Sequence, residues 1–99
     1  MIRMIDPITP EAEATIRAAV TEVMADFAVL DCQIEAKFDY DDDEAIFVEV
    51  YHDKVDQPYD PALEIRLLSL VCDRLHALGE YRFPYVDHHF PEGQKIKGW

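Results

Sequence analysis

Apolar positions recur with helical spacing in the first quarter of the chain. Val20, Val23, Met24 and Phe27 follow Ile16 at offsets of 4, 7, 8 and 11, while Glu13, Arg17, Glu22 and Asp26 fall mostly off that stripe. Ahead of it, Thr9-Pro10-Glu11 supplies an N-cap, a proline at the first helical position and a negative charge near the positive helix end. The spacing predicts an amphipathic helix from Thr9 to about Phe27.

The period then changes from helical to two. Leu30, Cys32, Ile34, Ala36, Phe38 and Tyr40 are apolar or aromatic and alternate with Asp31, Gln33, Glu35, Lys37 and Asp39. Such alternation predicts a half-buried strand with one wet face. Asp41-Asp42-Asp43 interrupts it as a turn does. Residues 44–52 form a second strand, with Ile46, Val48 and Val50 on one face and Phe47, Glu49 and Tyr51 on the other. A short polar connection between two strands predicts an antiparallel hairpin.

After a loop over 53–59, Asp60-Pro61 repeats the cap-then-proline signal. Leu63, Leu67, Leu70, Val71, Leu75 and Leu78 then define a second helix, with Arg74 and His76 near its negative end and Gly79 placed for a left-handed C-cap. Residues 81–90 are aromatic and extended. Pro84 has no N–H to give a ladder, so this third strand lies at an edge or is interrupted there. Residues 91–99 show no periodicity and are expected to form a mobile tail.

The element order is α-β-β-α-β. Each helix has one apolar stripe and the hairpin has one apolar face. The expected fold class is therefore α+β: a two-layer sandwich in which both helices cover one face of a three-stranded mixed sheet. A helix between the second and third strands makes that connection a crossover, so those two strands run parallel. The whole chain, 1–99, reads as a single domain with an ordered core over 9–90. The sheet's other face is left open.

Composition narrows the class further. With 99 residues and 49% apolar content, one small core is the expectation, and low-complexity or disordered classes are excluded. No apolar run approaches the ~20 residues of a membrane span. No apolar stretch of signal-peptide length precedes Asp6, and two cysteines are too few for a disulfide framework. A cytoplasmic location is the expectation.

The net charge is −12, and residues 1–50 hold 13 of the 21 acids with 3 of the 9 bases. A nucleic-acid binder needs a basic stripe to displace counterions from phosphates, and none is present. Partners expected from this field are neither nucleic acid nor membrane but protein, preferably basic, or a second copy of the chain.

Candidate chemistry is sparse. His52 ends the second strand, and Asp87, His88 and His89 end the third. Parallel strands bring those ends to one edge of the sheet, and imidazole with carboxylate suits zinc, iron or manganese. A small metal-dependent enzyme centred there is the alternative reading. Val86-Asp87-His88-His89 resembles the short signature of DHH-type phosphoesterases over four residues. Those enzymes are much longer and draw further metal-binding aspartates from upstream motifs that 99 residues cannot hold, so no role is carried over. Asp39-x-Asp41-x-Asp43 opens like a calcium loop, but Glu44 and Val50 stand where that loop needs glycine and a bidentate glutamate. Cys32 alternates inward as a small hydrophobe. Cys72 and His76 stand one helical turn apart, where contact would lower a thiol pKa. None of the three glycines forms a phosphate loop.

The preferred expectation is a non-catalytic interaction or regulatory protein that binds through the open sheet face. Glu35, Lys37, Phe47, Glu49 and Tyr51 are its candidate partner-binding residues. A homodimer through that face or the third strand's edge is the self-associating form of the same expectation.

Overall fold

The structure is a computed structural model and describes residues 4–98; Met1–Arg3 and Trp99 lie outside them. Helix α1 (Pro10–Val23) starts where the Thr9 hydroxyl accepts the Ala12 N–H at 3.1 Å, with Glu11 and Glu13 in the first turn. It ends at Val23, short of the expected Phe27. The Met24 N–H makes the closing bond to the Val20 carbonyl, and a turn then carries the chain toward the sheet. Met24 and Phe27 stay buried through that turn, which is why the apolar spacing outruns the helix.

Strands β1 (Val29–Phe38) and β2 (Glu44–His52) form the antiparallel hairpin, and β3 (Phe83–His89) pairs with β2 in parallel. The order β1-β2-β3 puts β2 at the centre and leaves β1 and β3 as edges. Helix α2 (Ala62–Ala77) forms the crossover between β2 and β3. This is the α+β arrangement expected from the pattern, with a three-stranded mixed sheet and both helices packed against it.

Local chemistry explains the joints. In the hairpin turn the Asp39 carboxylate accepts the N–H groups of Asp41 and Asp43 at 2.9 and 3.0 Å, and Asp42 takes a positive φ of 61°. Asp60 caps α2 by accepting the Ala62 N–H on its side chain at 3.0 Å. At the far end, the Gly79 N–H donates to the His76 carbonyl and the Glu80 N–H to the Leu75 carbonyl, a Schellman closure that requires the φ of +80° at Gly79.

Two inward expectations are corrected. A bulge between Val29 and Asp31 leaves Leu30 without a ladder partner, and it is 68% exposed. Tyr40 lies past the end of β1 in the turn and is fully exposed. The remaining even positions face the helices. Ile46, Val48 and Val50 of β2 are fully buried against Ile16 and Val20 of α1 and Leu67, Val71 and Leu75 of α2.

Residues 91–98, expected to be mobile, are tied to the 53–61 loop. The Tyr59 N–H donates to the Lys95 carbonyl at 2.9 Å and the Lys97 N–H donates to the Tyr59 carbonyl at 2.7 Å. The Gln94 side chain accepts the Val55 N–H and donates to the Gln57 carbonyl. Backbone pairing of this kind needs no hydropathy period, so the pattern carried no sign of it.

Candidate functional site

The expected metal cluster is divided by strand alternation. Even-numbered His52 and His88 point to the helix side, whereas odd-numbered Asp87 and His89 lie on the outer face opposite Glu49 and Tyr51. Among the described residues, no group of three or more His, Cys, Asp or Glu side chains converges as a metal ion requires. Reaching the same end of the sheet is not sufficient when neighbours in a strand face opposite ways.

What the structure does bring together is a pair of imidazoles, His52 buried and His88 half-buried. His52 Nε2 lies 2.8 Å from His88 Nδ1, and the His52 ring stacks on Phe90 at 4.4 Å between centroids. His52 is only 4% exposed, and buried Tyr59 completes the aromatic surround. Burial, then the neighbouring His52 and His89 charges, pushes His88 down to about 4. Burial also lowers His52, opposed by the nearby Phe27 backbone, although no hydrogen bond joins the two, and assisted by His89. Both rings are neutral at pH 7. One donates and the other accepts, so either tautomer choice leaves one N–H and one bare nitrogen. Those atoms, His52 Nδ1 and His88 Nε2, are buried and have no hydrogen-bond partner among the described residues, as is true of the Tyr59 hydroxyl. Burial raises the Tyr59 phenol, helped by the Glu64 charge, although no hydrogen bond joins the two. The hydrogen bond between the two rings ties the end of β2 to the end of β3.

The outer face is the larger candidate. Register defines four rows across it: Asp31, Tyr51 and His89; Gln33, Glu49 and Asp87; Glu35, Phe47 and Tyr85; Lys37, Ala45 and Phe83. Phe47 and Tyr85 stack at 5.1 Å, and Phe83 meets Tyr85 edge-on at 4.8 Å. Tyr51 stacks on His89 at 4.6 Å, while His89 Nε2 lies 2.6 Å from a Glu49 carboxylate oxygen. The Lys37 ammonium sits 4.4 Å from the centre of the Phe47 ring. At one end, the Tyr85 hydroxyl donates to the Asp39 carboxylate at 3.0 Å. Desolvation pushes Asp39 up, but the hydrogen bonds from Asp43, Tyr85 and Asp41 outweigh it and hold the carboxyl below its ordinary value.

All five expected partner-binding residues, Glu35, Lys37, Phe47, Glu49 and Tyr51, lie on this face. Asp87 and His89, expected in a metal cluster, belong to it as well, and the odd-number parity they share with Tyr85 is the sequence signal for that placement. Arg82 precedes β3 and serves structure instead. Its guanidinium pairs with Glu80 at 2.6 Å, bonds the Asp6 carbonyl and reaches Glu44 at 3.7 Å.

Neither cysteine shows the lowered thiol of an activated nucleophile. Both are free, and burial raises Cys32 and Cys72 alike, with Asp73 adding to the effect at Cys72. A reactive thiol needs the opposite shift. No helix among the described residues is long and apolar enough to cross a membrane. Searches against family models, curated proteins and solved structures return no match to this chain.

Proposed function

We propose that this chain is a non-catalytic binding module whose outer sheet face takes a basic segment of a partner protein. The observation that carries this reading is the composition of the face itself. Stacked Phe47 and Tyr85 lie among Glu35, Glu49 and Asp87 on a side where no helix packs. Lys37 over Phe47 is an internal example of the contact a partner's lysine or arginine would make. A desolvated cation on such a ring, with a carboxylate beside it, gains from both at once. Phosphate-bearing partners are disfavoured by the −12 charge. Two free thiols suit a reducing, cytoplasmic setting.

The test reverses charge where the backbone does not depend on it. A Glu35→Lys plus Glu49→Lys variant should keep its circular dichroism spectrum and bind a short arginine-rich peptide at least tenfold more weakly than the parent. Equal affinity would dismiss the face as the site. Dimer formation that survives the same substitutions would equally count against it.

A further inference from the structure

The two edges of the sheet are not equivalent. On β1, the Cys32 N–H is taken by the Asp31 carboxylate at 2.8 Å and the Cys32 carbonyl by the Arg17 guanidinium at 2.6 Å. With the bulge beside it, the first half of that edge is blocked to another strand. On β3, the backbone of Phe83–His89 has no hydrogen bond among the described residues beyond its ladder with β2, although Pro84 offers a carbonyl and no N–H. A groove of about 580 Å³ follows this free edge and wraps it from both sides. Phe83, Tyr85 and Asp87 line it from the outer face, and Glu64, Ile65 and Leu68 line it from α2. Ile65 is 75% exposed, an unusual place for a branched aliphatic side chain.

We infer that the partner segment binds by strand addition to the β3 edge, as an extended peptide in which basic and apolar residues alternate. This rests on the proposed outer-face reading and specifies its mode. Alternate residues of an added strand project to opposite faces. One set would lie over the outer face, where Glu49 and Asp87 favour lysine or arginine. The other set would lie against Ile65 and Leu68, which favour aliphatic groups. Among the described residues lining the groove, Lys37 and the largely neutral His88 stand against carboxylates from β2, β3, the hairpin turn and α2, so charge complementarity points to a cationic occupant. A second copy of the chain is disfavoured at this edge because each copy brings a charge of −12.

The experiment uses a blocked hexapeptide, Arg-Leu-Arg-Val-Arg-Leu, titrated into the full chain by calorimetry. Beside it stand a peptide of equal composition with its arginines grouped and two forms N-methylated on complementary alternate residues. Strand addition is expected to weaken binding at least tenfold for the grouped peptide and for one N-methylated form, while the other form keeps its affinity. An Ile65→Asp variant, altered at an exposed position, should also bind the parent peptide at least tenfold more weakly. Equal affinity for all four peptides overturns strand addition yet leaves the outer-face reading standing, provided the Glu35→Lys plus Glu49→Lys variant loses affinity. No binding by any peptide overturns both. A stable dimer disrupted by Ile65→Asp would overturn the assignment of this edge to a partner's strand.

Discussion

Two imidazoles sharing one hydrogen bond, one buried and one half-buried, make the fold sensitive to mild acid. His88 titrates near 4 in the folded chain and near its ordinary 6.5 when unfolded, and His52 shifts in the same direction. Between those pH values the unfolded chain binds more protons than the folded one, so stability falls as pH drops from about 6.5 toward 4. For His88 alone the loss stays below about 3 kcal/mol, because solvent at its partly exposed ring screens the penalty. Urea midpoints measured across this window should decline steadily, and a His52→Leu plus His88→Leu variant should flatten that decline. A wild-type midpoint unchanged between pH 6.5 and 4.5 would show the pair to be solvated. The pairing was partly legible in sequence: His52 continues the even-numbered run of Ile46, Val48 and Val50, and His88 continues that of Pro84 and Val86. Reading the four polar residues as one strand-end cluster hid the alternation. Tyr59, buried in a loop, had no periodic signal at all.

Each element is closed by chemistry that a single substitution can probe. Replacing Thr9 by alanine removes the acceptor for the Ala12 N–H and should cost about 1 kcal/mol in denaturant unfolding, with Thr9→Ser close to the parent. At Gly79 an added Cβ would meet nothing within 4 Å, so the cost of Gly79→Ala is purely conformational. Holding alanine at φ +80° should lower stability by roughly 1–2 kcal/mol in the same measurement. Element identity was legible throughout because the period switches cleanly between helical and two. Boundaries were less so. Met24 and Phe27 keep helical spacing in a turn, and the bulge at Leu30 removes one residue from an otherwise regular alternation. Strand directions followed from the connections: a short turn makes β1 and β2 antiparallel, and a helical crossover makes β2 and β3 parallel.

At the scale of the whole molecule, chemistry divides between two faces of one thin sheet. Helices cover the even-numbered face, where His52 is buried and His88 half-buried; the odd-numbered face keeps its rings and carboxylates in water. Charge then governs encounter. Association with a basic peptide should slow severalfold between 10 and 150 mM salt in stopped-flow mixing, roughly as the Debye length contracts from about 30 to 8 Å. A rate independent of salt would remove the electrostatic role of the face. Net charge and the open face were both readable before any coordinates, but the unequal edges were not, since Arg17 and Asp31 block the first half of the β1 edge through contacts that spacing does not encode.

The most direct test maps where a basic peptide lands, residue by residue, by NMR titration of the labelled chain. Perturbations should concentrate on Glu35, Phe47, Glu49, Tyr85 and Asp87, with α1 unaffected. Shifts centred on α1, or no saturable shifts on the sheet, would contradict the binding role assigned to its outer face.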